Sequence, residues 1–245
     1  MDSDQCWRVI TEQRLSMADL LEELTDAEWA TPSLCAGWRV RDVAAHVATA
    51  PQVPSLWSMT KEGIRAGGRF HKLNHDLAVR HADSRSPRSL VAELREHAPS
   101  RRLPVVTNYR NILFDVLVHG QDIAIPLGRR RSMPREAAAA GADRVWTMGW
   151  PFWAQRRLRG LRLVATDVGW AAGAGDEVSG PIDTLLLLLT GRVDAVLPRL
   201  AGPGLTRLAP VCTRRHTAGR GSPIDTGAAA AAAPDDEIGT PGTIS

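Results

Sequence analysis

Asp115 and His119 stand four residues apart in the run NILFDVLVHGQD, residues 111–122. On a helix that spacing stacks the two side chains on one face, and Asp122 extends the same column. The surrounding residues are apolar, so such a helix is buried on most sides. A buried carboxylate is costly unless it is paired or bound to a metal. One carboxylate oxygen and one imidazole nitrogen converging at this spacing form a natural pair of ligands for a divalent ion. The plainer reading is a buried Asp–His hydrogen bond. A third ligand elsewhere would decide between the two.

His46 is the candidate for that third ligand. It lies one residue from the apolar stripe Val40, Val43, Ala44, Val47, so it can point into a helix bundle. Asp42, one turn earlier, is placed to orient its imidazole. Here too the plainer reading is a histidine hydrogen-bonded to Asp42. His71, His75, His81, His97 and His216 read as surface residues. Cys35 is close to His46 in sequence and invites a nucleophile reading. Its neighbours Leu34, Ala36 and Trp38 favour a buried structural thiol instead. There is no Gly-rich phosphate loop, G-x-S-x-G, H-E-x-x-H or Rossmann fingerprint.

The elements that must carry these residues are mostly helical over residues 1–150. Met17, Leu20, Leu21 and Leu24 repeat at helical spacing. Thr25 and Glu28 form a capping-box pattern, and the segment from Pro32 to Gly37 breaks the helix. A helix from Val40 ends before Pro51 and Pro54. Residues 61–86 are polar and read as a loop or frayed helix. Helices follow over residues 89–97, 108–125 and 134–146. After Trp150 the style changes. Residues 161–167 read as a strand, 169–180 as a hairpin or turn, 182–190 and 193–200 as short helices. The expected division is a helical bundle over 1–150, a small α+β domain over 151–213, and a disordered low-complexity tail over 214–245.

Composition bounds the rest. The chain has 245 residues, 44% hydrophobic and 23% charged, enough for a sizeable core. The five leucines at 185–189 are far too few for a membrane span. The N-terminus is acidic and lacks a signal-peptide pattern. Cys6, Cys35 and Cys212 are scattered and make no CxxC pair, which points to a reduced, cytoplasmic protein. Net charge is only +3, and every basic residue but Lys61 and Lys72 is arginine, interleaved with acids. A nucleic-acid binder would concentrate charge on one element. Neither a nucleic-acid nor a membrane partner is expected.

Three segments resemble one family. WATPSLCAGWRVRDVAAH (29–46), VHGQDIAIPLG (118–128) and the pair LTGR (189–192) with LAGPGL (200–205) are similar, in order, to blocks of the mycothiol-dependent maleylpyruvate isomerase family. That family belongs to the DinB-like metal-binding bundles. The resemblance implies an α+β fold, mostly α. An antiparallel DinB-like four-helix bundle would precede a small C-terminal α/β domain. It implies His46, Asp115 and His119 as the three ligands of a divalent metal, typically zinc, and mycothiol or a similar thiol as cofactor. Isomerases of the family tend to carry Glu where this chain has Asp115, one methylene shorter.

The chemistry expected of such a set is activation of a small thiol as thiolate. Attack on an electrophilic carbon then leads to cis–trans isomerisation, or to S-transfer if the adduct persists. Arg192 is the expected clamp for a carboxylate of the thiol or substrate, on the resemblance alone. The partners expected are a small-molecule substrate and the thiol, with the chain a monomer or homodimer. A non-catalytic metal-binding module and a zinc-hydroxide hydrolase remain as alternatives.

Overall fold

The computed structural model describes residues 1–52, 70–103 and 107–208. Four helices close a ring: α1 (Ser3–Glu22), α3 (Val40–Thr49), α5 (Pro87–His97) and α6 (Tyr109–Ala124). α1 packs on α5 and α6, and α3 packs on the same two helices from the other side. This is the expected four-helix bundle. A short α2 (Asp26–Trp29) links α1 to α3, α4 (Phe70–Asp83) flanks α3, and α7 (Arg135–Thr147) lies against α6.

Local sequence explains where the helices start. Asp2 and Gln5 form a capping box on α1, as Thr25 and Glu28 do on α2. Ser86 caps α5 with Pro87 in its first turn. The Asn108 side chain accepts from the backbone N–H groups of Arg110 and Asn111 and starts α6. Val40, Val43, Ala44 and Val47 are all buried, as the stripe predicts.

Two elements differ from expectation. Residues 70–83, read as loop or frayed helix, form α4. It packs on α3 through alanines: Ala78 and Ala82 are buried while Leu77 is exposed. Alanine carries almost no periodic signal, which hid this face. The stretch 169–180 is more than a hairpin. β1 (Leu161–Ala165) pairs antiparallel with β2 (Ala171–Gly173), but β3 (Asp176–Gly180) crosses to the other edge and pairs parallel to β1. Gly175 makes the crossing possible. Its φ is +123°, and a Cβ there would lie 2.1 Å from the carbonyl oxygen of Gly160.

Beyond the sheet come α8 (Ala154–Arg157, before β1), α9 (Ile182–Leu189) and α10 (Val193–Val196), with a 3-10 turn at Leu197–Arg199. All five leucines of α9 are buried, and α9 packs on α7. One continuous cluster of buried side chains therefore runs from α1 to Leu208. Among the described residues no helix is long and apolar enough to cross a membrane. The tail read as low complexity, 214–245, lies outside the described residues.

Two polar features fasten the bundle. Arg14 on α1 is buried, and its Nη1 donates to the carbonyls of Ala98 and Ser100 just past α5. Burial lowers its pKa to about 10, against the opposing field of Asp115. His81, expected at the surface, instead meets Glu93 at 2.6 Å, with Arg85 on the other carboxylate oxygen at 2.6 Å. This ties α4 to α5. Burial raises the Glu93 pKa, but His81 and Arg85 outweigh it and hold the carboxyl below its ordinary 4.5. A depressed carboxylate stabilises the fold above the unfolded-state pKa and loses that contribution as pH falls through the folded-state pKa. Glu93→Gln should therefore cost roughly 0.5–1.5 kcal/mol at neutral pH. The difference between variant and wild type should shrink as pH falls below 4.5 and through the folded-state pKa; a difference that stays constant into acid would contradict the pairing.

Candidate metal centre

Three elements meet at the site: the Pro32–Gly37 turn, α3 and the C-terminal half of α6, joined by Arg192 just before α10. His46 on α3 faces Asp115 and His119 on α6. His46 Nε2 lies 3.6 Å from Asp115 Oδ2, and His119 Nε2 lies 3.3 Å from Asp115 Oδ1. The two imidazole rings meet edge-on, with centroids 4.9 Å apart. One ligand atom from each of the three residues falls within 4.8 Å of the others. The separations exceed a normal N–H···O hydrogen bond of about 2.9 Å. They match the edge of a tetrahedron of ligands at zinc bond lengths, about 3.4 Å.

The charge balance also fits a cation. Among the described residues no lysine or arginine lies at ion-pair distance from Asp115; its close partners are the two imidazoles. Burial opposes ionisation of Asp115, yet His119 and His46 hold its pKa far below the usual carboxylate range. Burial likewise opposes charge on His119, and Asp115, Asp122 and Cys35 raise its pKa well above the ordinary value. A proton on His119 offsets Asp115, and a divalent ion bound there would displace it and leave Nε2 as a donor.

Asp122 sets the orientation of His119. Its Oδ2 lies 2.9 Å from His119 Nδ1, which places the ring proton on Nδ1 and turns the Nε2 lone pair toward Asp115 and His46. Asp122 is fully buried, and Arg192 holds it from behind. Arg192 Nε donates to Oδ1 at 2.9 Å and Nη2 to Oδ2 at 2.6 Å, while Nη1 donates to the Thr190 carbonyl at 2.8 Å. Burial raises the Asp122 pKa, but Arg192 and His119 keep it far below the usual range. Arg192 thus lies on the site side of the fold, with its guanidinium turned to Asp122.

Cys35 departs from its sequence reading. The residue is partly buried against the hydrophobic core, yet its thiol meets charged groups. Sγ donates to Asp122 Oδ2 at 3.1 Å, accepts from Arg192 Nη2 at 3.3 Å and lies 3.8 Å from His119 Nδ1. The protein's own cysteine is therefore at the site, on the Nδ1 side of His119. Cys35, His119 and Asp122 also form a compact donor group, but the Arg192 guanidinium already supplies the positive charge there.

Asp42 does not orient His46. Its carboxylate accepts from Arg39 N, Nε and Nη2 at 2.8–2.9 Å. Helical side chains lean toward the N-terminus, so Asp42 reaches back to Arg39 rather than forward to His46. His46 also meets Trp38 edge-on at 5.7 Å. Trp38 also meets His75 of α4 edge-on at 5.7 Å, bringing a histidine read as peripheral to the rim. The side chain of His71 and all of His216 lie outside the described residues. His97 is partly buried.

Comparison with known proteins bears on the fold. Residues 10–105 match the family model of the mycothiol maleylpyruvate isomerase N-terminal domain. A crystal structure of the mycothiol-dependent maleylpyruvate isomerase superposes with a TM-score of 0.57 at 15% identity, covering 83% of this chain and 93% of that one. A histidine-to-alanine mutant of such an isomerase matches with the same TM-score and coverage at 14% identity. The fold is thus that of the isomerase across both the bundle and the C-terminal region. No curated protein matches the chain.

Proposed function

We propose that the chain is a metal- and thiol-dependent isomerase or S-transferase, acting on a small electrophilic substrate with mycothiol or a similar thiol. The observation that carries this reading is the three-donor centre with His119 pre-oriented by Asp122. His46, Asp115 and His119 would hold the ion, most simply zinc. A divalent ion held by two neutral imidazoles and one carboxylate keeps net positive charge and an open position, which favours thiolate over thiol at neutral pH.

The chain's own residues do the rest by position. Asp122 keeps His119 in one tautomer. Arg192 neutralises Asp122, so that the second carboxylate adds no net charge to the site, and so acts on the centre as a positioning residue. A direct role for Arg192 against a substrate carboxylate would require its guanidinium to leave Asp122. Trp38 meets the His46 ring edge-on at 5.7 Å. Thiol addition to a conjugated carbon, rotation and elimination would give isomerisation. An adduct that stays intact would give S-transfer.

The test is conversion of maleylpyruvate, with model electrophiles in parallel, by zinc-loaded protein with and without a small thiol. The reading expects turnover that needs both thiol and metal. Turnover without thiol would favour the hydrolase reading, and no turnover with any electrophile would favour a binding module.

A further inference from the structure

We propose that a cleft between the C-terminal end of α7 and α8 is a second ligand site, shaped for a small planar carboxylate. The cleft has a volume of about 450 Å³ and is lined by Trp146, Met148, Gly149, Trp153, Arg156 and Arg159. It shares no residue with the metal centre.

Its walls are fixed in place. Trp153 has a φ of +48°, a left-handed conformation costly for a bulky side chain. Its backbone N–H donates to the Gly149 carbonyl at 2.7 Å. The indole lies directly over Gly149, where a Cβ would come within 3.0 Å of the ring. Yet Trp153 stays 46% exposed. Trp146 is anchored by packing against Gly173 of β2, 3.2 Å from where a Cβ would stand. A strained backbone thus holds a large aromatic face toward solvent beside a second, fixed one.

The charge is one-sided. Nearby arginines are paired, Arg162 with Glu177 and Arg207 with Asp176. Arg156 and Arg159 are exposed, no carboxylate lines the cleft, and no acid among the described residues lies within 4.0 Å of either guanidinium. Two indole faces suit a flat conjugated body, and two guanidinium forks suit its carboxylate. A bare inorganic anion would leave both indoles uncovered. A second copy docked about a twofold axis here would set like guanidiniums against each other.

Equilibrium dialysis of the full chain against 2-naphthoate tests this, on EDTA-treated protein so that the carboxylate cannot ligate a metal. Saturable binding is expected. Trp153→Ala, and Arg156→Ala with Arg159→Ala, should each weaken it at least about fivefold, with melting temperatures near wild type for the exposed arginine pair. Neutral 2-naphthalenemethanol should bind at least about fivefold more weakly. Absence of saturable binding, equal binding by the arginine double variant, or equal binding of the neutral analogue would overturn the proposal. So would displacement by ADP at lower concentration, which marks a nucleotide site. Loss of binding in His119→Ala but not in the cleft variants would place the ligand at the metal centre instead.

Discussion

Asp122→Ala should lower stability by roughly 3–5 kcal/mol, the usual cost of leaving a buried charge without its partner. For a chain of this size that corresponds to a fall in melting temperature of roughly 6–20 °C. Asp122 is fully buried and accepts from Arg192 twice, from His119 and from Cys35. Its removal strands a guanidinium that is only 14% exposed. The matching double variant, Asp122→Leu with Arg192→Met, removes both charges and should recover much of the loss. A fall of under about 1 kcal/mol for the single variant would show that the pair is solvated rather than structural. The milder Asp122→Asn keeps the volume but no longer enforces the His119 tautomer. It should weaken metal binding about 10–100-fold.

His119→Ala should reduce bound zinc from about one per chain to near zero and take thiol-dependent turnover to background. The ring offers Nε2 to the centre and Nδ1 to Asp122, and alanine removes both. Asp115→Asn tests the charge separately. It is nearly isosteric, yet it removes the one carboxylate between two imidazoles. Two imidazoles and an amide hold a divalent ion far less well, and zinc should again fall well below stoichiometric. Elemental analysis after dialysis reads both. Full zinc content in His119→Ala would remove the ligand assignment. Asp115→Glu keeps the carboxylate and is expected to retain metal.

The helices that carry the site were legible because their apolar residues repeat at helical spacing and their caps are explicit. α6 needed only Asn108 and the apolar run after it. α4 was not legible, because its buried face is made of Ala78 and Ala82 among polar residues. Spacing made His46, Asp115 and His119 candidates, the family resemblance joined them as one ligand set, and the structure brings them together. Which acid serves which histidine turned on side-chain direction. Helical side chains lean toward the N-terminus. Asp122 therefore reaches back to His119, whereas Asp42 reaches back to Arg39 and away from His46. The Arg192–Asp122 pair joins residues 70 positions apart and has no local signature. Cys35 looked apolar in sequence because its charged neighbours, Asp122 and Arg192, come from elsewhere in the fold.

The central claim is that His46, Asp115 and His119 hold one ion with a position open to a thiol. Cobalt(II) makes both halves visible in a single absorption titration. Wild-type protein loaded with cobalt should show the d–d bands of a four-coordinate ion at about one equivalent per chain. Adding a small thiol should then produce a sulfur-to-cobalt charge-transfer band. The same band in Cys35→Ser would show that its sulfur comes from the added thiol, and His46→Ala should show neither feature. A chain that takes up no cobalt, or that takes it up and gives no sulfur band with any thiol, would contradict the account.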